Sequence, residues 1–204
     1  LMQLGKLGDV TPQQKDALAV MERGAKRLSR LIEKMRNFAR IKSGSIKLHI
    51  EPVVVREVFN QIVEIFAYLI QESDLKISLD GSVKEVIADR DCMESIFKNL
   101  IGNALRHTPK GGSVRVTVEE DARFWYFHFF NSGSFIPENL RERIFEEYVT
   151  FDEAMGGTGL GLTIVKSFVE AHRGNILVNS DELGTTFSFT IKKRAPRVAS
   201  VAIV

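Results

Sequence analysis

The sequence predicts an α+β fold, a two-layer sandwich in which helices cover a mixed β-sheet, preceded by a separate bundle-forming helix. Over the first 45 residues, apolar side chains repeat in a heptad. From residue 46 onward, alternating strand patterns mix with helical patterns without strict alternation, which is typical of a mixed sheet with helices on one face. We therefore divide the chain into residues 1–45, a domain over 46–194 and a tail over 195–204.

Composition excludes several classes of protein. The chain has 204 residues, with 28 basic and 26 acidic side chains, and is 44% apolar, which is typical of globular domains. No apolar stretch approaches the length of a membrane span, and the first ten residues lack a signal-peptide pattern. The single Cys92 excludes an internal disulfide, and the balanced charge gives no argument for nucleic acid.

The N-terminal segment predicts one long helix. Thr11 and Gln14 fit a capping box, Pro12 suits the first helical position, and Ser43-Gly44 marks the end. Its apolar seam consists of Leu18, Met21, Ala25, Leu28, Ile32, Met35 and Ala39. One helix cannot bury such a seam by itself, so we expect a partner helix from a second copy. The alternative is a helix packed on the main domain.

The remaining pattern predicts strands and helices in mixed order. The strands are expected at residues 46–50, 75–79, 86–88, 114–118, 124–130, 176–178 and 187–191, and the helices at 55–71, 91–106 and 160–171. Residues 124–130 are almost continuously apolar, as in a central strand.

A glycine-rich segment opens the last predicted helix. Gly157, Gly159 and Gly161 allow backbone N–H groups to approach an anion, and a helix N-terminus favours negative charge. The segment matches neither the P-loop nor the dinucleotide-binding spacing. Taken alone, it is equally consistent with a plain turn.

Two asparagines lie on the helix predicted at residues 91–106. Asn99 and Asn103 are one turn apart, and Arg106 shares their face. Amide groups are costly to bury without a partner, and their oxygens are suitable ligands for Mg²⁺ that bridges phosphates. The alternative, in which these amides cap neighbouring loops, is equally open at this point.

Four segments occur in a defined order along the chain. They are Asn99–Ala104 with Thr108-Pro109, Asn131-Ser132-Gly133 with Ile136-Pro137, Ile144-Phe145-Glu146, and Gly157–Leu162. Together they resemble the N, G1, F and G2 boxes of sensor histidine kinases, over residues 46–193. The N-terminal helix resembles the second helix of that family's dimerization and histidine-phosphotransfer bundle. The resemblance implies the ATP-binding sandwich of the GHKL superfamily, shared with gyrase and mismatch-repair ATPases.

The resemblance also implies a site for ATP and Mg²⁺. Asn103, with Asn99, would hold Mg²⁺ against the triphosphate, and Asn99 would position the reactive end. Asn131 would read the adenine amino group. Glu94 is our prediction for a catalytic acid or base, although it lies one residue from the position at which the family places Glu or Gln. The remaining residues implied to bind the nucleotide are Arg106, His107, Gly133, Ile136, Phe145, Gly157, Thr158, Gly159, Leu160, Gly161, Leu162 and Thr185.

The sequence departs from the family pattern in the nucleotide site. Asn131 stands where the family has Asp, which removes charge assistance of about 1 kcal/mol. Phe135 replaces the second glycine of that loop. The lid over residues 148–156 is short and has no Lys or Arg. We predict that ATP binding is retained.

The phosphoacceptor histidine of the family is missing. His49, His107, His128 and His172 all lack the expected acidic neighbour and Thr-Pro turn. His49 and His128 are expected on strands, and His172 is expected to cap the helix at 160–171. The chain thus resembles a fragment that starts between the two bundle helices.

The leading hypothesis is the ATP-binding catalytic part of a sensor histidine kinase. It would transfer the ATP γ-phosphate to a histidine outside this chain, for relay to an aspartate of a response regulator. We expect a homodimer through the N-terminal helix, a cytoplasmic location, and membrane attachment only through upstream regions. The alternative is a non-catalytic regulatory module that binds nucleotide or dimerizes.

Overall fold

The computed structural model describes residues 11–42, 47–149 and 159–193. The chain divides into two compact units between residues 45 and 46. Within the described residues, no helix has the length and apolar character that a bilayer span requires.

The first unit contains α1, which runs from Pro12 to Lys42. Its capping box is confirmed, because the Thr11 N–H donates to Gln14 Oε1 at 2.8 Å and the Gln14 N–H donates to Thr11 Oγ1 at 3.2 Å. The seam is largely exposed, with exposed fractions of 58% at Leu28 and 59% at Ile32. The apolar face of α1 is therefore accessible in the single chain.

The described part of the second unit contains seven strands, four α-helices and two short 3-10 helices. The strands are β1 (Ile50–Val54), β2 (Lys76–Asp80), β3 (Glu85–Asp89), β4 (Ser113–Glu120), β5 (Phe124–Ser132), β6 (Ile176–Ser180) and β7 (Gly184–Lys192). The helices are α2 (Val55–Ile65), α3 (Ala67–Glu72), α4 (Arg90–His107) and α5 (Gly161–Ala171), and the 3-10 helices span Glu138–Leu140 and Arg143–Phe145.

Five of these strands form a mixed sheet in the order β2-β4-β5-β7-β6. The β2–β4 pair is parallel and the other pairs are antiparallel. β1 and β3 form a separate antiparallel pair. The predicted α+β fold with a mixed sheet is confirmed, and β5 is the central strand as its apolar run predicted.

Aromatic side chains fill the layer between the sheet and the helices. The Phe97 ring of α4 meets the Phe129 ring edge to face at 5.0 Å, and the rings of Phe127 and Phe189 stack at 4.6 Å. All four side chains are almost fully buried. Burial of such rings is the main source of core stability, and here it holds α4 against the middle of the sheet.

The first strand of the second unit begins later than predicted. It starts at Ile50, whereas residues 47–49 are not in a strand and Ile46 lies outside the described residues. β1 pairs with β3 only as far as Asp89, the residue before α4. Without a partner strand, His49 instead donates its N–H to Asp89 Oδ2 at 2.7 Å, so the expected strand position of His49 was wrong.

The helix predicted over residues 55–71 is interrupted at Phe66, which separates α2 from α3. A Cβ added to Gly102 of α4 would lie only 3.0 Å from Phe66 Cζ. The Phe66 ring is therefore packed onto α4 at its glycine. This contact between helices is absent from the local pattern, and we infer that it accounts for the break.

Candidate functional site

The N-terminus of α5 meets the polar face of α4. Asn99 Nδ2 donates to the Ser95 carbonyl at 2.8 Å, and a Cβ added to Gly161 would lie 2.9 Å from Asn99 Oδ1. The carbonyl oxygen of Asn99 therefore faces the first turn of α5. That turn has N–H groups without partners inside the helix, which favour an anion. The structure thus brings together the asparagine and the glycine segment that the sequence singled out separately.

The other predicted residues of α4 continue along the same side. Asn103 follows Asn99 by one turn and is half-buried, while Arg106 and His107 are exposed in the last turn. The helix ends at His107 and is followed by Thr108, whose hydroxyl donates to the Ala104 carbonyl at 2.7 Å. An amide side chain and a cationic side chain therefore follow Asn99 along this side of α4.

A second polar group lies at the adjacent ends of β5 and β7. Asn131 pairs across the sheet with Thr185, and both side chains are at least 98% buried. Asn131 Nδ2 donates to Ser134 Oγ at 2.8 Å, and the Ser134 hydroxyl donates to Thr185 Oγ1 at 2.8 Å. The sheet thus joins Asn131, which was predicted to read the adenine, to Thr185, which was predicted to bind the nucleotide.

The loop after β5 contacts the end of α4. Gly133 has a φ of 75°, and a Cβ there would lie 2.7 Å from the ring carbons Cγ and Cδ of Pro109. A side chain would be both strained and overlapped. Gly133 therefore allows the loop after β5 to lie against Pro109, just beyond the end of α4.

Three residues that sequence reasoning missed stabilise this loop. The Ile136 N–H donates to Ser180 Oγ at 2.9 Å, and Arg141 donates to the carbonyl oxygens of Ile136 and Ser180. Ser134 connects Asn131 to Thr185, as described above. No residue pattern marked Ser134, Ser180 or Arg141, because their partners lie up to 51 positions away in sequence.

Tyr148, where the predicted lid begins, contacts Gly159, three residues beyond its predicted end at residue 156. The Tyr148 N–H donates to the Gly159 carbonyl at 3.1 Å, and a Cβ on Gly159 would lie 2.4 Å from Tyr148 Cα. The Thr163 hydroxyl of α5 lies 3.1 Å from the carbonyl oxygens of Phe145 and Glu146. Residues 150–158, which include the predicted residues Gly157 and Thr158, lie outside the described residues.

Apolar contacts support the same lid base. Phe145 is buried, and its ring meets the Phe187 ring at 6.4 Å, edge to face. Leu160 is buried, whereas Leu162 and Ile136 are half-buried. Phe145 is thus packed against the sheet beside the start of the predicted lid, while the nucleotide contacts of these residues stay predictions.

Glu94 is not brought together with the asparagines. It lies five residues before Asn99, about 140° around the helix. Arg90 pairs with Glu94 and with Glu57 of α2, at 3.3 Å in each case. The hydrogen bond to Glu57 contributes most to raising the pKa of Arg90. This arrangement supports an ion-pair role for Glu94, and nothing in the described geometry supports its predicted role as acid or base.

His172 follows α5 and is buried. Its Nδ1 lies 2.7 Å from the Phe168 carbonyl, and its Nε2 accepts the Asp89 N–H at 3.0 Å. The expected capping position is confirmed, with the addition that His172 ties α5 to the end of β3. A neighbouring cavity of about 320 Å³ has a lining that includes Ile87, Arg173 and Lys192. None of the described residues that were predicted to bind the nucleotide lines this cavity.

Comparison with known proteins identifies the family. Residues 88–195 match the model for histidine kinase-, DNA gyrase B- and HSP90-like ATPases. The sensor protein KdpD of Clostridium acetobutylicum is 32% identical over 81% of this chain and 19% of its own length. The sensor histidine kinase WalK of Bacillus subtilis is 29% identical over 90% of this chain and 31% of its own length. The chain thus spans less than a third of either relative.

Solved structures show the same fold. The nucleotide-free catalytic domain of histidine kinase ThkA has a TM-score of 0.66 at 29% identity, over 72% of this chain and 97% of its own. Full-length ShkA in complex with AMPPNP has a TM-score of 0.80 at 25% identity, over 95% of this chain and 42% of its own. ThkA in complex with the response regulator TrrA has a TM-score of 0.69 at 24% identity, over 95% of this chain and 55% of its own.

The family model covers more than half of this chain, including both the asparagines of α4 and the first turn of α5. The catalytic-domain structure of ThkA covers most of the second unit's length. The chain therefore belongs to the family of histidine kinase-, DNA gyrase B- and HSP90-like ATPases, and its ATPase domain is of the sensor histidine kinase type.

Proposed function

We propose that this chain binds ATP with Mg²⁺ and positions the γ-phosphate for transfer to a histidine of a dimerization bundle. The phosphoryl group would then pass to an aspartate of a response regulator. The observation that carries the proposal is the approach of Asn99 Oδ1 to the first turn of α5. The structure of ThkA with its response regulator supports the choice of partner class.

The donor groups fit a magnesium–phosphate complex. Within the described parts of the chain, no cluster of three or more His, Cys, Asp or Glu side chains is arranged to hold a metal. Mg²⁺ commonly takes only one or two protein oxygens, with phosphate oxygens and water completing its shell. Asn103 and Asn99 would supply the amide oxygens, and Mg²⁺ would neutralise charge on the transferring phosphoryl group.

The remaining groups of the site would position the nucleotide. Arg106 and the N–H groups at the start of α5 would contact phosphate oxygens, and Asn131 would contact the base. Catalysis of phosphoryl transfer depends mainly on such positioning and on electrostatic stabilisation. We also propose a cytoplasmic location, because the ATP and Mg²⁺ that the site would use are supplied there.

Calorimetry with ADP in the presence and absence of Mg²⁺ tests the binding step. We expect the full chain to bind ADP more tightly with Mg²⁺, and the N103A variant to lose about tenfold or more of that gain. The N60A variant is the matched control, since Asn60 is an exposed helical asparagine on α2. Absence of ADP and ATP binding by the unaltered chain would refute the proposal.

Phosphoryl transfer requires a separate experiment. The chain is mixed with radiolabelled ATP and a dimerization bundle that contains an acceptor histidine. Label on the bundle supports kinase activity, whereas label on this chain alone contradicts the proposal that the acceptor histidine belongs to the bundle. Binding without transfer to any acceptor bundle would favour the non-catalytic module, which Asn131 and the 63% exposed Phe135 also suggest.

A further inference from the structure

An asparagine can present either end of its amide to a base, whereas a carboxylate has two equivalent oxygens. The replacement of the family's Asp by Asn131 therefore makes the orientation of this side chain decisive. With the oxygen toward the base, Asn131 accepts from a 6-amino group; with the nitrogen toward the base, it donates to a 6-oxo group.

Backbone groups determine in which direction the hydroxyl groups beside Asn131 donate their hydrogen bonds. The Ile136 N–H is an obligatory donor and occupies Ser180 Oγ at 2.9 Å. The Ser180 hydroxyl is then free to donate to Thr185 Oγ1 at 2.7 Å or to the Gly184 carbonyl at 3.3 Å. The Thr185 hydroxyl in turn donates to the Ser134 carbonyl at 3.1 Å.

Ser134 completes this network at the amide. Its hydroxyl donates to Thr185 Oγ1 at 2.8 Å, so its oxygen accepts from Asn131 Nδ2, also at 2.8 Å. Reversing the amide would require Ser134 to donate to Asn131 instead of Thr185. The acceptor on Thr185 would then lose one of its two donors.

The amide oxygen of Asn131 points away from this network. No donor among the described residues is paired with Asn131 Oδ1. The described part of the chain also has no enclosed side-chain nitrogen or oxygen without a partner. Asn131 Oδ1 therefore keeps access to solvent although the residue is only 2% exposed, as expected for an acceptor that faces a ligand.

We propose that Ser134 is a positioning residue that holds the Asn131 amide with its oxygen toward the base, and thereby selects 6-aminopurine over 6-oxopurine nucleotides. Thr185 acts with it by receiving the Ser134 hydroxyl. This inference rests on the proposed function, in which Asn131 lies at the base of the nucleotide. It assigns to Ser134 a role that a carboxylate at position 131 would not need.

The test measures affinities for ADP and IDP, with Mg²⁺, by calorimetry. IDP carries a 6-oxo group without the additional amino group of GDP, so it probes position 6 alone. We expect the unaltered chain to prefer ADP by about tenfold or more, and the S134A variant to reduce this ratio by about threefold to tenfold. The S188A variant is the control, because Ser188 of β7 pairs with His128 on the other face of the sheet.

A double-mutant cycle distinguishes an effect on the orientation of the amide from a general disruption of the loop. In the N131D background there is no amide to reverse, so S134A should leave the ADP-to-IDP ratio unchanged. An equal loss of selectivity in both backgrounds, or no loss with Asn131 present, would overturn the role of Ser134 while the proposed function stands. Failure of the unaltered chain to bind either nucleotide would remove both.

Discussion

Gly161 determines how closely Asn99 approaches the first turn of α5. A Cβ at position 161 would lie 2.9 Å from Asn99 Oδ1, and the nearest other atom is Asn99 Cγ at 3.7 Å. The atoms that would have to move are therefore the end of one side chain, while the backbone of α4 would remain in place. At the residue scale, the sequence predicted both residues for the site but not that they lie against each other.

We predict that G161A weakens Mg²⁺·ADP binding by about threefold to tenfold without lowering stability. The added methyl displaces the Asn99 amide from the site, whereas alanine favours the helix by up to about 1 kcal/mol relative to glycine. Calorimetry and thermal unfolding without nucleotide measure the two effects. G24A is the control, since its Cβ meets nothing within 4 Å on α1; unchanged affinity in G161A would contradict the prediction.

The same scale shows why some site residues escaped prediction. Asn99 was singled out by its spacing from Asn103, whereas Asn131 and Thr185 were implied by the family resemblance. Ser134 and Ser180 are ordinary serines in sequence, and they acquire a role only because β5, β6 and β7 bring them beside Thr185. Glu94 pairs with Arg90, one turn earlier on the same helix, and its role as an acid or base stays a prediction.

At the scale of elements, the turn between β4 and β5 depends on one carboxylate. Asp121 Oδ1 accepts the N–H groups of Arg123 and Phe124 at 2.7 Å each, and Oδ2 accepts the Tyr126 hydroxyl at 2.8 Å. The hydrogen bonds from the backbone, followed by that from Tyr126, lower the pKa of Asp121. The turn therefore favours the charged form of this group.

We predict that D121N destabilises the chain at neutral pH, and that its difference from the unaltered chain shrinks as the pH falls below about 4. A lowered folded-state pKa adds stability above the unfolded-state pKa of about 3.9, and this stability is lost as pH falls through the folded-state value. Urea unfolding between pH 7 and pH 3 measures the difference. E119Q, at an exposed position of β4, should show no comparable loss; a D121N effect independent of pH would contradict the assignment.

The prediction of helices and strands succeeded where the sequence pattern agrees with the packing in the folded domain. The continuous apolar run of β5 belongs to a strand between β4 and β7, and helices cover one face of that sheet. It failed at residues 47–49, where no strand remained to pair with the chain, and at Phe66, where a ring packs against Gly102. Both corrections depend on neighbours that are distant in sequence.

For the molecule as a whole, the exposed seam of α1 indicates association. Met21, Leu28, Ile32 and Met35 are between 58% and 69% exposed. Exposed apolar residues in a heptad favour helix pairing, since pairing removes them from water. We propose that a second copy of the chain supplies the partner helix.

We predict that the chain self-associates and that I32E shifts it to the monomer, because a charge in the seam would be desolvated on pairing. Sedimentation velocity over a range of concentrations measures the equilibrium, and ADP affinity should remain unchanged. V20E is the control, since Val20 is equally exposed but lies off the seam. Equal behaviour of I32E, V20E and the unaltered chain would exclude the seam as the interface.

The sequence by itself determined the α+β class, the heptad of α1, the family resemblance and the residue types of the nucleotide site. These properties depend on local periodicity and on motifs with a defined spacing, and both can be recognised in one sequence. The tertiary structure alone decided which of these residues meet: Asn99 with Gly161, and Asn131, through Ser134, with Thr185. The physical reason is that hydrogen bonds and close contacts depend on distances between elements, which strand pairing and helix packing establish only when the whole domain folds.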